Sequence, residues 1–365
     1  MKSSIKNLLK FTIFIFITLF LIYIIGIILT PETISKSGLQ GQTITTKGYY
    51  ELPPNSIDVL FLGDSTMLNA VSPMELWNKY GIVSYNNSVS SVRTYGTYYL
   101  LKDALKTQTP KLVVIDSDTM FYKYNFNEPH QRAHIDHLKD PYIKFELIND
   151  KNYPFSFMDK ISTYFPLFRY HSRWSEFKFK DLKKINKEYY SITKGFVMAS
   201  SVKPSTNADT YMNEYDDKIQ FENNSYEYLE KIYEYCQEKN ITLMIMQLPN
   251  SRDWGKTQNK LIQEYADEHN IKFLDFNTFD FGLNWDEDTK DAGAHLNVLG
   301  AMKLNEYLAE YLKNNFDLPD HREEELYANW HDDFKLYEKE LNEYINIANK
   351  KIGENAKDST SNNRR

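Results

Sequence analysis

The sequence predicts an α/β fold, a three-layer sandwich with a parallel sheet between layers of helices, preceded by one transmembrane helix. The first observation is a set of near-continuous apolar runs rich in β-branched residues, at 57–62, 112–116, 241–247 and 271–275. Such runs are typical of strands that are buried on both faces. The second is a set of helix-like stretches between or after these runs, at 73–80, 94–107, 225–239, 256–269 and 298–315. Because strands joined by helices pair in parallel, this alternation indicates an α/β sandwich.

The transmembrane helix is predicted from residues 11–30, which carry no charged side chain over twenty positions. A helix of that length crosses the hydrocarbon core of a bilayer. Three lysines and no acidic residue precede it, so the positive-inside rule places the N-terminus, 1–10, in the cytoplasm and the remaining chain outside the cell. A cleaved signal peptide is the alternative. The length of the run and the lack of a small-x-small cleavage site after it favour an uncleaved, single-pass anchor in the cell membrane.

Beyond the anchor we expect a linker over 31–50 and an α/β domain over 51–320. An aromatic and polar stretch at about 120–224 interrupts that domain, and we interpret it as an insertion over the strand ends. A C-terminal amphipathic helix is predicted over 321–352, followed by a disordered polar tail over 353–365. Its apolar stripe recurs at steps of four and three residues, on Trp330, Phe334, Tyr337, Leu341, Tyr344 and Ala348. We expect this stripe to pack on its own domain, and pairing with another protein is the alternative.

Composition excludes several classes of protein. The chain of 365 residues has a formal net charge of −7, which argues against binding to nucleic acid. Its single cysteine, Cys236, excludes an intramolecular disulfide and thiolate clusters for zinc or iron–sulfur. His130, His134 and His137 have a spacing that suits a metal on one helix face, but no carboxylate cluster accompanies them. We therefore expect a solvated polar face there, with no metal and no cofactor.

Two polar motifs follow predicted strands. Gly63-Asp64-Ser65 ends the first strand, at the carboxyl edge where open α/β sheets bind ligands. A serine needs a base to become a good nucleophile, and a histidine oriented by a carboxylate, such as His295 beside Asp291, supplies one. Both motifs lie on strand-to-helix loops of one sheet, so we expect them to meet at the same edge. The alternative readings are an ordinary turn and a surface-loop histidine.

These residues resemble the SGNH (GDSL-type) hydrolase superfamily over roughly 50–340. The resemblance implies an SGNH-like fold in which Ser65 is the nucleophile, His295 the general base and Asp291 the acid that orients it. Asp291 precedes the histidine by four residues, where the superfamily has three, and Asp288 is the alternative acid. In the second block Ser91 takes the place of a glycine whose amide helps to bind the oxyanion. In the third block Asp118 takes the place of an asparagine, so the resemblance makes Asp118 an expected residue of the oxyanion or substrate site.

The anchor, the aromatic insertion and the DHR sequence at 320–322 are similar, more narrowly, to membrane-anchored members linked to membrane-bound O-acyltransferases. Those members include the DltD-like proteins of teichoic-acid D-alanylation and the proteins that O-acetylate alginate or cellulose. The resemblance implies a serine O-acyltransferase or esterase that modifies, most simply by acetylation, an exported polysaccharide or teichoic-acid-type polymer beside an acyltransferase partner. Two alternatives are an inactive scaffold of the same fold, which binds the polymer or docks the acyltransferase, and an unrelated anchored binding protein.

One segment of the insertion resembles a segment common in those anchored members. It contains Arg169, His171, Arg173 and Trp174. These side chains suit two roles equally, contact with a substrate or partner enzyme and a structural turn.

Overall fold

The computed structural model describes residues 2–122, 135–136, 138–151, 155–222 and 224–362. Five parallel strands form a sheet in the order β2-β1-β3-β4-β5. They are β1 Val59–Leu62, β2 Ser84–Asn86, β3 Leu112–Asp116, β4 Thr242–Gln247 and β5 Lys272–Asp275. Four of these strands lie within the predicted apolar runs, and β2 is an additional edge strand. The predicted α/β class with a parallel sheet is confirmed.

Helices precede the sheet and follow its strands, and several short helices lie in the insertion. They are α1 Lys2–Leu29, α2 Gln42–Tyr49, α3 Ser65–Ala70, α4 Pro73–Tyr80, α5 Thr94–Ala104, α6 Pro141–Ile148, α7 Phe157–Tyr164, α8 Leu167–Tyr170, α9 Ser225–Glu238, α10 Lys256–His269, α11 Val298–Asn315 and α12 Ala328–Asn362. Short 3-10 helices lie at Asp118–Met120, His171–Glu176, Phe179–Asn186 and Glu325–Tyr327. The helices predicted at 73–80, 256–269 and 298–315 have the predicted bounds.

Both faces of the sheet are covered. Val59 and Phe61 belong to a core cluster with Leu304 of α11, whereas Leu60 points to the opposite face. Leu60 is nevertheless fully buried, so a second layer covers that face as well. This two-sided burial explains why the strands are nearly continuous apolar runs.

The chain divides into two compact units, Met1–Thr33 with Phe145–Tyr189, and Ile34–Lys144 with Tyr190–Arg365. The middle of the insertion, which we expected over the strand ends, therefore forms a unit with α1. The predicted linker over 31–50 also needs correction, because Gln42–Tyr49 is a helix with Ile44 and Tyr49 buried. Its threonines are buried too, so a count of apolar residues does not reveal this helix.

One described helix, over Ser4–Leu29, is long and apolar enough to cross a membrane. Its mean hydropathy is 2.9, and little of it is buried within the protein. Length and composition of this kind suit a membrane anchor and a signal sequence alike.

The apolar stripe of α12 packs against other elements of the second unit, to which α12 itself belongs. Trp330 lies against Trp77 with ring centroids 5.2 Å apart, and Tyr337 is fully buried beside Ser72, to whose hydroxyl its own hydroxyl is hydrogen-bonded. The regular helix begins at Ala328 rather than near 321, after a 3-10 turn. It continues to Asn362, so much of the segment expected to be a disordered tail is helical.

Candidate active site

Ser65 is the first residue of α3, directly after the turn that leaves β1. The turn needs a glycine, because a Cβ at Gly63 would lie 2.6 Å from Cβ of Asp116 on the neighbouring strand. Asp64 caps α3 by accepting a hydrogen bond of 2.7 Å from the backbone N–H of Thr66. The sequence Gly-Asp-Ser therefore brings two strands close together, starts a helix and presents a hydroxyl at the carboxyl edge of the sheet.

The structure brings Ser65, His295 and Asp291 together in one hydrogen-bonded chain. Oγ of Ser65 lies 2.8 Å from Nε2 of His295, and Nδ1 of the same ring lies 2.6 Å from Oδ2 of Asp291. The backbone N–H of His295 also donates to Oδ1 of Asp291 over 2.9 Å. Burial alone would raise the pKa of Asp291, but these contacts with His295 outweigh it and lower that pKa. The carboxylate is therefore held ionised, beside the ring nitrogen distant from the serine.

The loop between Asp291 and His295 accommodates the unusual spacing of four residues. Ala292 and Gly293 both adopt left-handed backbone conformations, with φ of 68° and 93°. This tight turn folds the Asp291 carboxylate back onto the His295 ring. Asp288, the alternative acid, is instead bound by Nζ of Lys303 at 2.7 Å and by a backbone N–H at 2.7 Å.

Behind Ser65, three carboxyl groups cluster in the interior. The Thr66 hydroxyl lies 2.7 Å from an oxygen of Asp64 and 2.7 Å from an oxygen of Asp116. One hydroxyl proton serves only one of these contacts, so the other contact requires a proton on a carboxyl group. Burial, followed by the charges of Asp64 and Asp118, raises the pKa of Asp116. We therefore assign the extra proton to Asp116.

Asp118, which we expected at the oxyanion or substrate site, is fully buried and does not line the cavity at Ser65. It accepts hydrogen bonds of 2.9 Å from the side-chain amides of Gln247 and Asn250. Burial and then the Asp64 charge raise the pKa of Asp118 to about 7, although the two amides oppose the shift. Its structural role is to hold Asn250, and Asn250 is the residue that reaches the cavity.

An open cavity of about 400 Å³ lies at the Ser65 hydroxyl. Its lining comprises Asp64, Ser65, Thr66, Ser91, Arg93, Tyr122, Asn250, Arg252, Asp253, Ala294 and His295. Ser91 lines this cavity, and its backbone is left-handed (φ 59°), a conformation that glycine adopts freely. The sequence analysis missed Arg93, Tyr122 and Asn250. The only signal for them was their position shortly after predicted strands or after Ser91.

Arg93 is notable for the partners it lacks among the described residues. Its Nε is buried and has no hydrogen-bond partner there, and its guanidinium forms no salt bridge with a described carboxylate. The guanidinium lies 4.9 Å from the ring centroid of Tyr122. The cavity therefore contains a cation whose hydrogen-bonding capacity is not used up within the described residues.

The other residues singled out in the sequence are not among the described residues that line this cavity. Arg169, His171, Arg173 and Trp174 belong to the unit formed with α1. Cys236 is buried, and desolvation raises the pKa of its thiol to about 12. His130, His134 and His137 lie outside the described residues.

Comparison with known proteins adds little to the site. No protein-family model matches the chain, and no curated protein matches it in sequence. A candidate acylhydrolase of Bacteroides fragilis matches in structure at 13% identity, over 73% of this chain and 92% of that chain, with a TM-score of 0.34. A gut microbial diltiazem-metabolizing enzyme matches at 12% identity, over 70% of this chain and 47% of that chain, with a TM-score of 0.24. At these TM-scores neither structure bears on the function of this chain.

Proposed function

We propose that the protein is a serine-dependent acyl-transfer enzyme whose nucleophile is Ser65. The observation that carries this proposal is the hydrogen-bonded chain from Ser65 through His295 to Asp291, which opens into a cavity. A serine hydroxyl hydrogen-bonded to an imidazole, with a carboxylate on the far nitrogen, is the arrangement that activates serine for attack on a carbonyl.

In the first step Oγ of Ser65 attacks the carbonyl carbon of an acyl donor while Nε2 of His295 takes the hydroxyl proton. Asp291 stabilises the imidazolium that forms. The backbone N–H groups of Ser65 and Ser91 bind the developing oxyanion. The leaving group then departs with the proton from His295, which leaves an acyl ester on Ser65. An acceptor hydroxyl or water attacks this ester and passes its proton to His295. As the bond between the acyl carbon and Oγ of Ser65 breaks, His295 gives that proton to Oγ, which regenerates the serine and releases the acylated product or the free acid.

We infer that the acyl acceptor or donor carries an anionic group near the reacting carbonyl. Arg93 lines the same cavity as Ser65 and has unused donors, which suit a phosphate or a carboxylate. A teichoic-acid-type polymer has phosphates, and many exported polysaccharides have carboxylates. On this proposal Arg93→Gln raises KM for a phosphate-bearing acetyl ester and leaves KM for a neutral acetyl ester unchanged.

The cellular context of the proposal is the outer face of the cell membrane, with α1 as an uncleaved anchor and the N-terminus in the cytoplasm. A membrane-bound O-acyltransferase is the proposed source of acyl groups, because an anchored transferase is well placed to receive them from an integral membrane donor. Acetylation of an exported polysaccharide or teichoic-acid-type polymer is the simplest overall reaction. The supporting features are the apolar helix and the resemblance stated above.

The experiment is to label the full-length protein in detergent with a fluorophosphonate probe. Such probes form a covalent bond with activated serines, so wild type is expected to be labelled, whereas Ser65→Ala and His295→Ala are not. Ser90→Ala, a change in the loop next to Ser91, controls for unspecific loss and is expected to label as wild type does.

Unlabelled wild type would favour the second candidate function, a scaffold of the same fold without catalysis. One observation speaks for that candidate, the replacement of the superfamily's third-block asparagine by the buried Asp118. The enzymatic function is supported if the probe labels wild type and if the polymer of a Ser65→Ala strain loses its ester groups.

A further inference from the structure

The 3-10 helix Phe179–Asn186 has three chemically distinct rows of side chains. In a 3-10 helix, residues three positions apart lie above one another. One row is apolar, Phe179, Leu182 and Ile185; the second carries the cations Lys180 and Lys183; and the third contains Asp181 and Lys184. A helix with separate apolar and cationic faces is typical of segments that lie in a membrane interface.

The third row fixes this helix to the C-terminal end of α1. Nζ of Lys184 donates to the carbonyl oxygens of Ile28 and Thr30 over 3.0 and 2.9 Å. The guanidinium of Arg173 donates to the carbonyl of Leu29 over 2.7 Å. These cations satisfy carbonyls that have no partner within a helix, and they complement the negative end of its dipole.

Close backbone packing adds to this attachment. A Cβ at Gly26 would lie 2.8 Å from the backbone nitrogen of Leu167, so α1 and α8 approach at a glycine. Glu32, just beyond α1, pairs with Lys187 at 3.1 Å. Residues 166–187, which we name the interfacial segment, therefore pack around the last turn of α1.

The described residues of this unit leave the apolar row partly uncovered. Phe179 is 84% exposed, Leu182 46% and Ile185 39%, and Trp174 in the same segment is 74% exposed. Large apolar side chains grouped at a surface mark an interaction site. The exposed apolar surface continues along α1 itself, which is long and apolar enough to cross a bilayer.

The net charge of the interfacial segment indicates what kind of surface covers the apolar row. Residues 166–187 contain seven lysines or arginines and two acidic residues, a net charge of +5, in a chain whose net charge is −7. Lys180 and Lys183 are exposed and lie beside the apolar row. Aromatic side chains flanked by lysines at the end of a membrane-spanning helix fit the head-group region of a bilayer with anionic lipids.

We propose that the interfacial segment lies in the anionic lipid leaflet at the C-terminal end of α1. Phe179, Leu182 and Ile185 insert below the head groups, and Lys180 and Lys183 bind lipid phosphates. None of these residues lines the Ser65 cavity, and the proposal does not depend on the proposed enzymatic function. It does require that α1 is retained, because α1 supplies the carbonyls that Lys184 and Arg173 bind.

The test uses single cysteines in the full-length chain, reconstituted in vesicles of phosphatidylcholine and phosphatidylglycerol. The native Cys236 is buried, with the pKa of its thiol raised to about 12 by desolvation, so introduced thiols are labelled selectively. Phe179→Cys, Leu182→Cys and Ile185→Cys carry a nitrobenzoxadiazole fluorophore. Lys335→Cys, at an exposed position of α12, is the matched aqueous control.

Brominated phosphatidylcholine is expected to quench the three labels in the apolar row, and aqueous iodide is expected to leave them bright. The label at position 335 is expected to be quenched by iodide and not by the brominated lipid. Labels in the apolar row that iodide quenches and bromolipid does not would overturn the proposal. That result would indicate a protein partner, such as a membrane enzyme, as the natural cover of this row.

A second experiment tests whether Lys180 and Lys183 bind anionic lipid. Lys180→Glu with Lys183→Glu, in the Phe179→Cys background, is expected to increase iodide quenching in vesicles that contain phosphatidylglycerol and to have little effect in pure phosphatidylcholine. Lys335→Glu with Lys339→Glu changes the net charge equally on α12 and is expected to leave quenching unchanged. Equal responses of the two double variants would contradict the role of Lys180 and Lys183.

Discussion

The side-chain amide of Asn250 donates a hydrogen bond of 2.9 Å to a carboxyl oxygen of Asp118. The oxygen of the same amide accepts from the backbone N–H groups of Arg252 and Asp253, over 3.1 and 3.0 Å. Asp118 thus holds the loop that follows β4 against the cavity, although it does not face the cavity itself. Asn250, which follows β4, is the residue of this pair that lines the cavity.

The first prediction concerns pH. The pKa of Asp118 rises from 3.8 to about 7 on folding, chiefly through burial, so the folded chain binds a proton that the unfolded chain has released. The contribution of this group to stability is therefore full below about pH 4 and decreases as the pH rises toward 7. Asp118→Asn has no titrating group here. We expect its free energy of unfolding in detergent to fall less than that of wild type between pH 4 and pH 8. Parallel curves would contradict the assignment.

The second prediction separates the two candidate acids. Asp291→Asn is expected to lower ester hydrolysis by about 10⁴-fold, because the carboxylate that fixes the tautomer of His295 is lost. Asp288→Asn is the matched control. It is expected to keep kcat near wild type but to lower the free energy of unfolding by about 1–3 kcal/mol, since the buried partner of Lys303 loses its charge. Hydrolysis of p-nitrophenyl acetate and chemical unfolding measure the two effects, and the opposite pattern would favour Asp288.

The third prediction tests the backbone of Ser91 as an oxyanion donor. Ser91→Gly keeps the N–H and relieves a left-handed conformation that costs a non-glycine residue about 1–2 kcal/mol. Added flexibility of the unfolded chain offsets part of this gain. We expect kcat within a few-fold of wild type and a small change in the unfolding midpoint. A large loss of kcat would show that the hydroxyl of Ser91 takes part instead.

The strands β1, β3, β4 and β5 were predictable because burial on both faces leaves a continuous apolar pattern in the sequence. The strand β2 was not, since Ser84, Tyr85 and Asn86 are polar or amphipathic and the edge strand is short. The helix Gln42–Tyr49 escaped notice for a similar reason, as its buried face is built largely from threonines. Pattern analysis detects apolar burial, whereas these elements bury polar side chains. Thr45, Thr46, Tyr85 and Nδ2 of Asn86 donate to backbone carbonyls, whereas Oγ of Ser84 and Oδ1 of Asn86 have no hydrogen-bond partner among the described residues.

The residues of the site likewise divide into those that the sequence predicts and those that it does not. Ser65 begins the helix after β1, whereas Asp291 and His295 lie on the loop after β5, and the carboxyl ends of parallel strands meet at one edge of the sheet. Arg93 and Asn250 could not be predicted, because their roles depend on which way a loop turns after its strand. The choice between Asp291 and Asp288 likewise depended on two left-handed residues, Ala292 and Gly293, of which only Gly293 lacks the Cβ that disfavours that conformation.

The last prediction tests whether that turn holds the catalytic geometry. Gly293 and Gly282 both have left-handed backbones, with φ of 93° and 88°. A Cβ at Gly293 would lie 2.0 Å from Oγ of Ser251, whereas a Cβ at Gly282 meets nothing within 4 Å. Gly282→Ala is therefore expected to cost about 1–2 kcal/mol of stability from backbone strain alone and to keep kcat.

Gly293→Ala adds a steric clash to the same strain, so the turn has to shift and move Asp291 relative to His295. We expect a larger loss of stability than in Gly282→Ala, together with a fall in kcat of roughly 100-fold, as for a displaced catalytic group. Ester hydrolysis and chemical unfolding of the two variants, measured side by side, check this. Equal kcat values in both variants would mean that the geometry of Asp291 and His295 does not depend on the turn at 292–293.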